Sequence, residues 1–128
     1  MTVRERRFIG GHEAPAVARR ALREQLNGSV SERTLTDAQL LVSELATNSV
    51  RHGGCDERTV LAMEADVRDR RVHVRVYDEG GGFEGAPGAK LDTGAAGGWG
   101  VVLLDRLATA WGVERGDRFC VWFELERR

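Results

Sequence analysis

The stretch SELATNSVRHGG, residues 43–54, places polar side chains in a segment that otherwise has the periodicity of a buried helix. Glu44, Asn48 and Arg51 are spaced by four and three residues, so they project from one face of that helix about a turn apart. The apolar stripe beside them consists of Leu40, Leu41, Leu45 and Val50. Ionised groups at the edge of a core are costly unless something pairs with them. The three residues are therefore candidates for a binding site, and an exposed polar stripe is the alternative.

Periodicity along the rest of the chain predicts an α/β protein. The predicted elements are a strand over residues 3–9, a helix over 13–26, the helix just described, strands over 59–67 and 72–76, a helix over 101–108, and a closing hairpin that turns at 115–117. The second helix can begin at Ser31 and Glu32 or at Thr36 and Asp37, and it ends at Gly53 and Gly54. Half-buried strands need a cover, so we expect a two-layer α/β sandwich in which three helices cover a mostly antiparallel mixed sheet.

Length and composition restrict the class of protein. The 128 residues suit one domain with a real core, and a net charge of −1 gives no bulk electrostatic argument for nucleic acid or an anionic membrane. Cys55 and Cys120 lie far apart and predict reduced thiols rather than a disulfide framework or a zinc site. The N-terminus lacks the apolar run of a signal peptide, and no run of ~18 apolar residues occurs. We expect a soluble cytoplasmic protein.

Two glycine-rich motifs follow the predicted strands over 59–67 and 72–76. In VYDEGGGF, Asp78 ends a strand directly before residues 80–82, which are all glycine; a simple turn former is the alternative. In GAAGGWGVVLLDRL, glycines lead into a helix, where backbone N–H groups can approach a phosphate. The second motif lacks the P-loop GK[ST] and the dinucleotide fingerprint, so alone it is weak evidence. Residues 79–100 form a long loop with almost no periodicity, which is either functional or disordered.

Together, in this order, the motifs resemble those of the GHKL ATP-binding superfamily, which includes histidine-kinase ATPase domains and gyrase. The chain looks most similar to the bacterial anti-sigma-factor serine kinases. ELATNSVRHG resembles the N box, DEGGGF the first glycine box and GGWGVVLL the second. The resemblance extends from the first helix to the last strand. It implies a single ATP-binding domain of the Bergerat type over residues 1–128, with a glycine-rich ATP lid at about 79–100.

The resemblance also implies roles for individual residues. Asn48 would supply an oxygen ligand to Mg²⁺, Arg51 would contact phosphate, and Asp78 would accept a hydrogen bond from the adenine amino group. Other implied ATP-binding positions are Gly80, Gly82, Gly98, Gly100 and Val101. Gly80 and Gly82 would let the backbone pass close to the purine, and Gly98 and Gly100 would hinge the lid.

Glu44 distinguishes subfamilies, because histidine kinases usually carry asparagine there. A serine hydroxyl needs its proton removed, and a nearby carboxylate can act as that base. The alternative is a structural salt bridge from Glu44 to Arg51. The resemblance implies an ATP- and Mg²⁺-dependent serine/threonine kinase that acts as an anti-sigma factor and phosphorylates a STAS-type anti-anti-sigma protein. Its partners would be a sigma factor, the STAS protein and a second copy of the chain. The rival hypothesis is a non-catalytic ATP-binding module that holds a protein partner.

Several further residues receive weaker interpretations. His52 closes the N box and is interpreted as a packing or capping group. Trp111 and Trp122 are expected to be core or interface aromatics. Trp99 departs from the family pattern, since relatives often carry a small or basic residue there; Lys90 or Arg106 could supply the missing charge.

Overall fold

The computed structural model describes residues 5–52, 60–78 and 99–126; for residues 48–52, 99–101 and 115 the description covers the backbone alone. Its elements, in chain order, are β1 (Glu5–Ile9), α1 (Ala14–Leu26), α2 (Glu32–His52), β2 (Val60–Arg68), β3 (Arg71–Asp78), α3 (Trp99–Leu107), β4 (Ala110–Arg115) and β5 (Phe119–Glu126). This is the predicted order of helices and strands. The expected two-layer α/β architecture is confirmed.

The five strands form one sheet in the order β1-β2-β3-β5-β4. All four neighbouring pairs are antiparallel, so the described strands contain no parallel pair and the expected mixed character is absent from them. The centre of the sheet is β3, which pairs with β2 on one side and β5 on the other. Asp78 at the end of β3 therefore lies between Leu61 and Phe119.

Local sequence signals set the C-terminal end of α1 and the start of α2. Gly28, just after α1, has φ +84°, a left-handed conformation that costs glycine little. At α2, the Ser31 hydroxyl oxygen accepts a hydrogen bond from the Thr34 backbone N–H at 3.2 Å. This is an N-cap, because it satisfies one of the free amides of the first turn. Of the two predicted start points, the structure selects Ser31 and Glu32.

The β2–β3 hairpin turns on two residues. Asp69 and Arg70 have φ of +48° and +70°, as in the type I′ turn whose twist matches the flanking strands. Alternation then continues on both strands without a shift, which places Leu61, Met63, Ala65, Val72, Val74 and Val76 in the core.

The core lies between the sheet and the helix layer. Its largest fully buried side chains include Phe123, Leu22, Leu26, Leu35, Leu41, Leu61 and Met63. The opposite face of the sheet carries polar and charged side chains, among them Tyr77, whose hydroxyl donates to a Glu64 carboxylate oxygen at 2.8 Å. Alternation of apolar and polar residues thus sends one face of each strand into the core and the other away from it.

One helix boundary differs from its expectation, and the two tryptophans that were expected to be core or interface aromatics lie in different places. The third helix begins at Trp99, two residues before the predicted start at 101, so the last part of the predicted lid is the first turn of α3. Trp122 lies outside the core cluster, on the polar face, where its ring stacks on His73 at a centroid distance of 5.8 Å. Trp111 packs against the core as expected. The rest of the predicted lid, residues 79–98, lies outside the described residues.

Candidate functional site

The direction of α2 brings the predicted site residues to one end of the sandwich. Thr34, in the first turn, donates its hydroxyl to the Glu126 carbonyl oxygen at 3.4 Å, and Glu126 pairs with Arg71 at the start of β3. From Thr34, α2 advances about 15 Å to Glu44 and about 21 Å to Asn48 at 1.5 Å per residue. From Arg71, β3 advances about 23 Å to its last residue at ~3.3 Å per residue. The second half of α2 and the end of β3 therefore lie at the same end of the sheet.

Helix α3 has its N-terminus directed toward that same end and runs away from it. Its last turn carries Arg106, which lines a cavity of about 210 Å³ together with Arg33 of α2 and Leu125 of β5. Since this places the C-terminus of α3 near the start of α2, its N-terminus is directed toward the end that holds Asp78. The first turn of α3 contains no acidic residue. A helix N-terminus of this kind favours anionic oxygens such as those of a phosphate.

Asp78 is a buried carboxyl-bearing residue at the helix-facing side of β3. Only 7% of the residue is exposed, and it continues the alternation of Val72, Val74 and Val76, which all belong to the core. A turn former at a strand end would ordinarily be exposed to water. The burial disfavours that alternative and is the environment expected of a residue that selects a ligand by one specific hydrogen bond.

Glu44 lies on α2 between buried neighbours and is itself partly buried. Leu41 and Leu45 on either side of it have exposures of 0% and 3%. The structure thus places Glu44 at the edge of the core, as its sequence position predicts, with part of its surface accessible to a reactant.

The structure does not describe every predicted site residue. Asn48 and Arg51 belong to α2, and Gly100 and Val101 to the first turn of α3, with only their backbones described. The salt-bridge alternative for Glu44 and Arg51 involves one of these side chains and stays open. The following predicted residues lie outside the described part: Gly53, Gly54, Cys55, Gly80, Gly82, Lys90 and Gly98.

Arg106 lies far from the end that holds Asp78. Its neighbour Leu125 pairs with Val72, whereas Phe119, which is six residues away on the same strand, pairs with Asp78. At ~3.3 Å per residue this is a separation of about 20 Å along the sheet. Arg106 is thus placed at the opposite end of the sandwich from the predicted adenine contact.

Residues 5–52, 60–78 and 99–126 contain no group of three or more histidine, cysteine or acidic side chains arranged to hold a metal ion. Within the same ranges, every helix is too short or too polar to cross a lipid bilayer. Cys120 is a free thiol, as predicted, and burial raises its pKa.

A polar contact beside the site had no signal in the sequence. Arg19 of α1 donates from Nη1 to the Ser43 hydroxyl oxygen of α2 at 2.7 Å, one residue before Glu44. The two residues are 24 positions apart, so helical periodicity within either segment carries no signal for their contact. The burial of Asp66 on β2, which is only 4% exposed, was not predicted either.

Comparison with known families decides the class of the domain. The family described as "Histidine kinase-like ATPase domain" matches residues 12–124, which is most of the chain. The chain belongs to the histidine kinase-like ATPase domain family. The sequence resemblance to the GHKL superfamily is confirmed, and ATP is the ligand expected of an ATPase domain with this fold.

Three curated relatives match a shorter part of the ATPase domain. Each is an "Anti-sigma F factor" of Clostridium perfringens, from strains SM101, ATCC 13124 and 13, and each is 39% identical over 61 residues. The match covers 47% of this chain and 42% of each relative, so the chain spans less than half the length of the curated relatives it matches.

Proposed function

We propose that the protein is an ATP- and Mg²⁺-dependent serine/threonine protein kinase that acts as an anti-sigma factor and phosphorylates a STAS-type anti-anti-sigma protein. The observation that carries the proposal is the presence of Glu44 on the half of α2 that approaches the end of β3, where Asp78 is buried. An ATP-binding domain with a carboxylate at this place can deprotonate an acceptor hydroxyl as well as bind the nucleotide.

In the proposed site, Asp78 accepts a hydrogen bond from the adenine amino group. The phosphates extend toward the N-terminus of α3, whose first turn is free of acidic residues. Arg51 contributes positive charge from the last turn of α2, and the glycines at 80, 82, 98 and 100, with Val101, allow close approach of the backbone.

An amide oxygen is a donor that suits Mg²⁺. The ion characteristically uses one or two protein oxygens plus waters and substrate phosphates. Asn48, one turn after Glu44, would supply that oxygen. When bound, the ion would neutralise charge on the phosphates.

The acceptor hydroxyl is activated by Glu44 in this proposal. The partial exposure of Glu44 lets a protein substrate reach its carboxylate. The burial of Leu41 and Leu45 in the same helix fixes the backbone that carries it. A general base of this kind accelerates proton removal by about 10² to 10⁴.

The relatives support one of the proposed partners. Because they are named anti-sigma F factors, we propose a sigma factor as the protein held by this domain. The STAS protein as phosphorylation target and a homodimer as the assembly are proposed from the resemblance of the sequence motifs alone. The near-neutral charge of the chain supports protein partners over nucleic acid.

Phosphotransfer from labelled ATP tests the proposal. The protein is incubated with γ-labelled ATP, Mg²⁺ and the purified STAS-type proteins encoded in the same genome. The expected result is an acid-stable label on a serine or threonine of one STAS protein. ATP binding with no transfer to any of them would favour the non-catalytic module, and an acid-labile label would indicate a histidine acceptor.

A further inference from the structure

One side of α2 is anchored to α1 over successive turns. Gln39 donates from Nε2 to the Arg19 backbone carbonyl at 3.0 Å, and Arg19 donates from Nη1 to the Ser43 hydroxyl at 2.7 Å. Residues 39 and 43 are four apart, so both contacts with Arg19 lie along one stripe of the helix.

The proposed catalytic carboxylate belongs to the neighbouring stripe. Glu44 follows Ser43 by one residue, which is about 100° around the helix and ~1.5 Å along it. A rotation of α2 about its own axis therefore moves both side chains together. Since side chains extend about 5–6 Å from the helix axis, a rotation of ~10° displaces a carboxylate by about 1 Å.

Displacements of that size matter for proton transfer. A misplacement of ~1 Å can reduce a rate about 10²-fold, because reacting groups must meet within a narrow range of distance and direction. Apolar packing of Leu41, Val42 and Leu45 keeps α2 on the sheet, yet packing alone permits small rotations that a directional hydrogen bond opposes.

We propose that Arg19 and Ser43 are positioning residues for Glu44, and that their hydrogen bond sets the rotation at which α2 presents the carboxylate to the acceptor hydroxyl. This inference rests on the proposed kinase function. Neither residue touches the nucleotide or the acceptor; Arg19 acts through Ser43, and Ser43 acts through the helix backbone.

A double-mutant cycle tests the inference, with Arg19→Gln, Ser43→Ala and their combination. Single-turnover transfer is measured to the STAS protein that takes up label, together with the ATP affinity and the acceptor concentration that gives half-maximal rate. Each single change is expected to slow transfer about 10- to 100-fold while both affinities stay unchanged. The double variant is expected to be no slower than the slower single variant, because both changes remove the same contact.

The chain offers a matched control and a conservative variant. Arg20 is the next residue of α1 and is exposed, and the described part of the chain shows no hydrogen bond or ion pair for it. Arg20→Gln removes the same charge and is expected to transfer phosphate at the wild-type rate. Arg19→Lys keeps a donor that can reach the hydroxyl, so it is expected to recover part of the lost rate.

The results distinguish a failure of the positioning role from a failure of the proposed kinase function. If Arg19→Gln raises the acceptor concentration needed for half-maximal rate and Ser43→Ala does not, Arg19 contacts the acceptor directly and the positioning role is wrong. Additive losses in the double variant, or equal losses in Arg20→Gln, overturn it as well. If the wild-type protein binds ATP but transfers nothing, the proposed function itself fails and the positioning role falls with it.

Discussion

Replacement of Asp78 by asparagine tests the hydrogen bond that is proposed to select adenine. The change keeps the size and shape of the side chain, so the packing of Leu61 and Phe119 beside it need not adjust. It replaces one carboxylate oxygen by an amide NH₂ group, which can place a hydrogen-bond donor against the amino group of adenine, itself a donor. With only 7% of the residue exposed, water cannot readily satisfy the mismatched groups. Loss of a charge-assisted hydrogen bond plus an unpaired buried donor costs about 2–4 kcal/mol.

That free energy corresponds to a loss of about 30- to 700-fold in ATP affinity. Isothermal titration calorimetry of Mg-ATP into the wild-type and variant proteins measures it, with thermal unfolding as the check that the variant is folded. Asp66→Asn is the matched control, because Asp66 is also buried, with 4% exposed, but lies on the opposite face of the sheet, where Arg68 Nε donates to its Oδ2 at 2.8 Å. The control is expected to bind ATP normally. Wild-type affinity in a folded Asp78→Asn protein would refute the adenine assignment.

Three further changes have outcomes that the structure or the family resemblance specifies. Burial, with a second contribution from the hydrogen bond to Glu64, raises the pKa of Tyr77 from 10.0 to about 12. Because the pKa is higher in the folded state, the shift stabilises the protein fully below pH ~10, and this stabilisation is lost as pH rises toward ~12. Tyr77 is the single tyrosine, so ultraviolet absorbance titration follows it alone, and Glu64→Gln should lower its pKa. A Cβ at Gly112 would lie 2.9 Å from the Trp122 indole; Gly112→Ala should reduce the free energy of unfolding by about 1–3 kcal/mol in chemical denaturation, and by less in a Trp122→Leu background. Asn48→Ala should abolish the Mg²⁺-dependent part of ATP affinity while affinity measured in chelator stays the same; equal affinities with and without Mg²⁺ in the wild type would contradict this.

The helices and strands could be predicted because their signals are local. Alternation from Leu61 to Val67 and from Val72 to Val76 assigns both strands and their buried face. The short interval between the two runs predicts a hairpin, which turns at residues 69 and 70, between β2 and β3. The start of α2 was ambiguous because Ser31 and Thr36 are both good caps in sequence. The structure resolves the ambiguity through a contact within three residues.

Contacts between distant segments could not be predicted in the same way. The environment of Trp122 depends on His73, which reaches it only because β3 pairs with β5 across an interval of some fifty residues. Equally, the partnership of Arg19 and Ser43 depends on the angle between two helices. The candidate site was accessible from sequence because Glu44, Asn48 and Asp78 stand in motifs, whereas its placement at one end of the sandwich required the pairing of β5 with β3.

The transfer rate of a Glu44→Ala protein loaded with Mg-ATP tests the central claim most directly, because it separates base catalysis from nucleotide binding. Calorimetry first establishes that the variant binds Mg-ATP as the wild type does. Single-turnover transfer to the labelled STAS protein is then expected to fall by about 10² to 10⁴, the usual contribution of a general base. Transfer at the wild-type rate by the folded, ATP-bound variant would show that Glu44 is structural and would contradict the proposed mechanism.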